Sequence, residues 1–174
     1  SLTIPESDSL LGQQVRKTLS DITKGDAIIC TGVGQHQMWA AQHYQFTKPN
    51  SWLSSGGLGT MGYEIPSAIG AQFGAPDKTV WSICGDGGFQ MTIGELATVA
   101  ENNLPIKYAI LNNNHLGMIT QLQDMFYQGQ NMQETYTGNP DFVKLAEAYG
   151  IKGIRVENQD QLQGSHSQGQ ARGS

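Results

Sequence analysis

The stretch Val80–Asn114, VWSICGDGGFQMTIGELATVAENNLPIKYAILNNN, contains one complete repeat of the fold. An apolar run, Val80–Cys84, enters the turn Gly85-Asp86-Gly87-Gly88. A helical run, Phe89–Ala100, follows, and a second apolar run, Ile106–Leu111, ends in Asn112-Asn113-Asn114. Apolar runs that do not alternate with polar residues are expected where both faces of a strand are covered, which is the signature of a parallel sheet. Parallel neighbours need a crossover between them, and the helical run supplies one. The same order stands upstream, where Ala27–Thr31 (AIICT) leads through Gly32-Val33-Gly34 into a helical pattern over Gln35–Tyr44. Ile151–Val156 reads as a further strand. Leu10, Leu11, Val15, Leu19 and Ile22 form one stripe of a packing helix within Ser7–Ile22, with Ser7 or Ser9 as its N-cap. The expectation is an α/β protein: a doubly wound parallel sheet with helices on both faces. Ligands of such sheets bind beyond the carboxyl ends of the strands, and here those ends carry Gly, Asp, Asn and His residues.

The 174 residues suffice for one such domain, expected over 1–160. The last stretch, 161–174 (QLQGSHSQGQARGS), loses apolar periodicity and reads as a disordered tail or linker, with His166 a solvated residue of that tail. A net charge of −5 and a pI near 5.2 give no footprint for nucleic acid or for an anionic membrane surface, which favours a small-molecule ligand. Cys30 and Cys84 lie inside the apolar runs and read as buried reduced thiols without chemistry. No stretch of about 18 apolar residues occurs and the N-terminus shows no basic region followed by an apolar one, so the expected compartment is the cytoplasm.

Candidate chemistry gathers at two strand ends. The glycines around Asp86 let backbone amides approach a ligand, and the following helix offers its N-terminus, a natural cradle for a diphosphate. Twenty-seven positions further on, Asn113 offers a hard amide oxygen of the kind Mg²⁺ accepts. Asp86, Asn113 and a loop carbonyl, that of His115, could hold Mg²⁺ together with phosphate and water. Each signal alone is commonplace, since Gly-Asp-Gly is often a plain turn and Asn clusters often cap helices. Their spacing across one strand-helix-strand unit is what is specific.

That pair of strand ends resembles the thiamine-diphosphate enzymes. Three segments, TGVGQHQMWAAQ (Thr31–Gln42), SGGLGTMGYEIPSAIGAQ (Ser55–Gln72) and LNNNHLGMITQ (Leu111–Gln121), are similar to acetolactate synthases, and the likeness runs over about residues 25 to 160. The resemblance implies that Val33, Gly34, Gln35 and His36 hold the diphosphate beside Gly85, Asp86, Gly87 and Gly88. It implies that Met61 wedges the cofactor into its bent shape, that the carbonyl of Gly59 meets the pyrimidine amino group, and that Leu116, Gly117 and Met118 complete the cofactor pocket, Met118 lining the reaction chamber. The metal set it implies is Asp86, Asn113 and the His115 carbonyl. The implied reaction decarboxylates pyruvate and joins the two-carbon unit to a second 2-keto acid, giving 2-acetolactate or its homologue for branched-chain amino acid or acetoin synthesis. A full-length enzyme of this kind is expected to be a homodimer or tetramer, with a possible regulatory subunit and, in the full-length enzyme only, a possible FAD.

The sequence departs from that family in identifiable places. The activating glutamate is expected on a separate domain outside this sequence, so turnover by this chain alone is not expected. The chain is expected to stop before the closing helix and strand that would follow Val156, which would leave the expected sheet one strand short. Leu122 stands where many members have Trp, and Glu64 replaces a small residue. Other thiamine-diphosphate enzymes, such as pyruvate oxidase or glyoxylate carboligase, and a non-catalytic binding fragment are the alternatives. A dinucleotide-binding fold is disfavoured because no GxGxxG follows the first strand.

Overall fold

A computed structural model describes residues 3–7, 9–127 and 138–162. Four strands are ordered β2-β1-β3-β4 and all pair in parallel: β1 (Ile28–Thr31), β2 (Trp52–Ser54), β3 (Val80–Gly85) and β4 (Lys107–Leu111). Register is set by Ile29 opposite Trp52, Ile28 opposite Val80, and Trp81 opposite Lys107. Successive strand residues point to opposite faces. Cys30, Val80, Cys84 and the half-buried Ile28, Tyr108 and Ile110 therefore join one core with Ile65, Ala68 and Ile69 of α3 (Glu64–Gly74) and with Leu96 and Val99 of α5 (Leu96–Glu101). Ile29 and Ile83, with the partly buried Trp81 and Leu111, join the other core with Val15 and Leu19 of α1 (Gly12–Thr23) and Ala40 of α2 (Gln35–His43). The doubly wound expectation holds, with both faces covered. Cys30 and Cys84 are buried free thiols.

Strand order reverses at the centre. From β1 the chain crosses through α2 to the edge strand β2, then returns through α3 to β3 on the far side of β1. The carboxyl ends of β1 and β3 are thus the switch point at which such sheets bind ligands.

Several details differ from the sequence reading. The run Phe89–Ala100 is not one helix. It is divided into α4 (Asp86–Met91), a 3₁₀ turn (Ile93–Glu95) and α5, because Thr92 turns out of the helix and its hydroxyl donates to the Gly62 carbonyl at 2.9 Å. Helix α1 starts at Gly12, with Leu11 as its cap, whose amide donates to Gln14 Oε1 at 2.9 Å, while Ser7 and Ser9 bond each other. The expected strand Ile151–Val156 is irregular. Gly153 lies flush against Val143 of α7 (Phe142–Ala148), and Arg155 pairs with Asp141 at the start of that helix, so the segment follows α7 rather than the sheet edge. Residues 159–162 form a helical turn, and Leu162 is buried in the second core, so the boundary expected at 160 falls within packed structure. His166 lies outside the described residues. Beyond α4 and α7, the helix that bears on the site is α6 (Gly117–Phe126).

Leu162→Ala removes a buried side chain from the second core and should lower unfolding free energy by about 2 to 4 kcal/mol. A urea midpoint unchanged from the parent would place Leu162 outside the cooperative core.

Candidate functional site

Three loops converge at the switch point. Gly32, Val33 and Gly34 connect β1 to α2, whose first residues are Gln35 and His36. Gly34 has φ +153, and a Cβ there would come within 2.8 Å of the His36 imidazole, so only glycine fits. The same imidazole packs on Gly85 at the end of β3, 3.0 Å from where a Cβ would stand. His36 thus bridges the two central strand ends. It is buried, and its Nε2 has no hydrogen-bond partner among the described residues.

Asp86 opens α4 and is buried. Its Oδ1 accepts the Gly87 N–H at 2.9 Å, and its Oδ2 accepts both the Asn114 N–H at 2.8 Å and the Asn139 amide at 2.7 Å. Asn114 reaches it from a left-handed backbone conformation, which Asn tolerates better than most residues. The Asn139 amide also donates to Asn112 Oδ1 at 2.8 Å and Asn114 Oδ1 at 3.0 Å.

Asn113 is exposed and faces another way. Its Oδ1 accepts the His115 N–H at 3.1 Å, and its Nδ2 lies 3.4 Å from where a Cβ on Gly117 would stand. Gln35 presses its Oε1 on the same glycine, while its Nε2 donates to Gln121 of α6 at 3.2 Å. The structure therefore joins Gln35, Asn113 and Gly117 in one group and His36, Gly34 and Gly85 in another. Asp86 is bonded to Asn114 and Asn139, not to Asn113. His115 is exposed, Leu116 is the N-cap of α6, and Met118 is half-buried in its first turn.

The loop 55–61 runs beside the β1 loop. Gly59 has φ +66, and Val33 is its nearest neighbour, 4.0 Å from the place of its Cβ. Met61 is half-buried on the same loop, and Gly62 beside it is held by Thr92. Gly87 and Gly88 are buried in α4.

Sequence reasoning missed three residues. Asn139 lies in Gly138-Asn139-Pro140-Asp141, which reads locally as an ordinary approach to a helix, and its amide N–H groups act across the chain on Asp86, Asn112 and Asn114. Glu64, read only as a departure, is the first residue of α3, and its buried carboxyl is wedged between Gly32 and Gly88, with neither oxygen hydrogen-bonded among the described residues. Arg16 of α1 is buried with all three guanidinium nitrogens unpartnered among the described residues. Burial lowers Arg16 to about 9, which leaves it a cation at neutral pH. Burial, and then the Arg16 charge, lower His36 to about 3, so its ring is neutral with one N–H donor. Burial raises Glu64 to about 7. The amides of Glu64 and Gly62 lie close enough to draw it back part of the way without being aligned for hydrogen bonds.

The arrangement can hold an anion and a hard cation together. The β1 loop carries no Cβ at Gly32 or Gly34, His36 has an unsatisfied buried nitrogen, and Asp86 retains acceptor capacity on Oδ1. No group of three or more His, Cys, Asp or Glu side chains is placed to share a metal among the described residues, so a metal here would rest on Asp86 with amide and carbonyl oxygens. That donor set suits Mg²⁺ and not Zn²⁺. These features fit a diphosphate bridged to a magnesium-type ion.

The Glu64 carboxyl ionises near its ordinary 4.5 when the chain is unfolded and near 7 when folded. Below 4.5 both states are protonated. Between 4.5 and 7 only the unfolded state releases its proton, so the contribution falls as pH rises through that window, by about 3 kcal/mol in all. His36 acts in the opposite sense, since its neutral folded form loses stability as pH falls from 6.5 towards 3. The difference in unfolding free energy between wild type and Glu64→Gln should therefore change by about 3 kcal/mol between pH 4.5 and 7. A constant difference would show that Glu64 is not held protonated.

A family model described as "Thiamine pyrophosphate enzyme, C-terminal TPP binding domain" matches residues 32–172. The chain is 54% identical over 159 residues to the acetolactate synthase large subunit of Corynebacterium glutamicum, covering 89% of this chain and 25% of that protein. It is 50% identical over 163 residues to acetolactate synthase 1, chloroplastic, of Nicotiana tabacum, covering 89% and 24%. To the acetolactate synthase isozyme 3 large subunit of Escherichia coli it is 46% identical over 162 residues, covering 93% and 28%. The chain thus spans about a quarter of the length of these relatives. With the diphosphate-type cradle at the β1 and β3 ends, the match places this chain in the thiamine pyrophosphate enzyme family, as its C-terminal TPP-binding domain.

Proposed function

We propose that this domain supplies the diphosphate and metal half of an acetolactate synthase active site. The observation that carries the reading is the meeting of the Gly32–His36 loop with Gly85, next to buried Asp86, at the switch point, in a chain about half identical to acetolactate synthases. In this reading Val33, Gly34, Gln35 and His36, with Gly85, Gly87 and Gly88, hold the diphosphate. The neutral His36 ring donates one hydrogen bond to it. Asp86, Asn113 and the His115 carbonyl hold Mg²⁺, with Asn113 turning from its present place beside Gly117 to do so. The Gly59 carbonyl meets the aminopyrimidine, Met61 supports the bend of the cofactor, and Leu116, Gly117 and Met118 line the chamber. Once bound, thiamine diphosphate would supply the electron sink for decarboxylating a 2-keto acid. The protein's part is to fix that group, place the 2-keto acids against it, and keep water away from the reacting carbon.

The proposed substrates are pyruvate and a second 2-keto acid, and the product is 2-acetolactate or its homologue. The full-length enzyme is proposed to be a homodimer or tetramer that can take a regulatory subunit and FAD. No helix among the described residues is long and apolar enough to cross a membrane, and a cytoplasmic place is proposed.

Calorimetric titration of the chain with thiamine diphosphate and Mg²⁺ tests the reading. Weak, saturable, Mg²⁺-dependent binding is expected, reduced at least tenfold by Asp86→Ala and by Asn113→Ala, with no acetolactate formed by the chain alone. Undiminished binding in Asp86→Ala would remove the metal from this site.

A further inference from the structure

A carboxylate offers about four acceptor positions, two on each oxygen. Both positions on Asp86 Oδ2 are occupied, by the Asn114 N–H at 2.8 Å and by the Asn139 amide at 2.7 Å, and one on Oδ1 is occupied by the Gly87 N–H at 2.9 Å. Among the described residues one position remains, on Oδ1. The orientation of the Asn139 amide is fixed by its neighbours. Its nitrogen faces three oxygens, those of Asp86, Asn112 and Asn114, within 2.7 to 3.0 Å, while its own oxygen accepts the Gln90 amide at 2.7 Å. With the amide reversed, an oxygen would face three acceptors and a nitrogen would face the Gln90 donor, so the reversed form is excluded.

From this count we infer that Asn139 is a positioning residue for the cation site. Its amide gathers the Asp86 carboxylate and the Asn112–Asn114 loop around one donor, and leaves Asp86 Oδ1 as the oxygen presented to a divalent ion. Gln90, on α4, holds Asn139 in that orientation. An amide NH₂ has two hydrogens for three acceptors, and the charged carboxylate, at the shortest distance, takes one of them. The other is shared between Asn112 and Asn114, so the loop after β4 is tied to the end of β3 before any metal arrives. The Asn-Pro-Asp segment ahead of α7 thereby acts on the metal without touching it. This inference rests on the metal site proposed above.

Binding of Mn²⁺ in the presence of thiamine diphosphate, read by the electron paramagnetic resonance of free Mn²⁺, tests it in the whole chain. Asn139→Ala should weaken Mn²⁺ binding by about 10 to 100-fold, the usual effect of losing a group that orients a ligand. Gln90→Ala should weaken it by a smaller factor in the same direction. Thermal midpoints without metal separate this role from anchoring of α7, since a purely structural Asn139 would lower the midpoint and leave Mn²⁺ affinity within twofold of wild type. Affinity within twofold in Asn139→Ala, with Asp86→Ala abolishing binding, overturns the inference and leaves the metal site standing. Should Asn139→Ala fail to fold, Gln90→Ala decides by the same twofold limit. Retention of Mn²⁺ in Asp86→Ala, or no binding by wild type at millimolar metal, removes the metal site and the inference together.

Discussion

The buried carboxylate of Asp86 joins stretches of chain that are far apart in sequence. Its donors come from the first turn of α4, from the loop after β4 and from the segment ahead of α7. A carboxylate removed from water is tolerated only where hydrogen-bond donors replace its hydration. The end of β4 and the start of α7 therefore cannot move away from β3 without leaving a buried charge unsatisfied. The two hydrophobic cores hold the sheet between its helices. At its carboxyl edge, where the chain is loops and glycines, this one anion sets where those loops lie.

Around that edge the domain accepts groups that a core selected for stability alone would exclude. Among the described residues Glu64 and Arg16 are buried without hydrogen-bond partners, and His36 is held neutral with an unsatisfied nitrogen. Each costs free energy in the unliganded chain. The carboxyl of Glu64 fills the space that Gly32 and Gly88 leave open, directly beneath the two loops that form the cradle. Strain of this kind concentrates where a site must remain ready for an incoming charged ligand. The opposing pH responses of Glu64 and His36 offset one another between about pH 4.5 and 6.5, so neither shows plainly in the parent chain.

Much of this architecture was legible in the residues. The apolar runs of β1, β3 and β4, with the glycine-rich exits of β1 and β3 and the Asn run after β4, are visible in the sequence as runs between turn residues. What escaped depends on contacts across the chain. Strand β2 has three residues, and exposed Trp52 at its start stacks on Phe46 instead of entering the core, so no apolar run marks it. The break at Thr92 comes from its bond to Gly62, thirty positions earlier. Ile151–Val156 has strand-forming residues, yet Gly153 and Arg155 bind it to α7. Asn139 stands 53 positions from Asp86, and nothing local sets it apart from an ordinary helix approach. Asn113 is a candidate by its spacing, and its side chain lies beside Gly117. The sequence signal located the loop, not the conformation of each amide within it.

The strand order has a consequence for how the domain is made. The first strand to be synthesised, β1, ends in the middle of the sheet, and its partner β3 arrives only after the excursion to β2 and back. Every pairing in the sheet is between parallel strands joined by a crossover, so no hairpin can form early to hold the chain together. The cradle does not exist in any half-made domain, because its glycines follow β1, its carboxylate follows β3, and the amide that orients the carboxylate is translated still later. A growing chain leaves the ends of β3 and β4 untied until residue 139 has emerged. Cofactor can therefore act only on a finished domain, drawing the folding equilibrium towards the native state at its end and guiding none of the earlier steps.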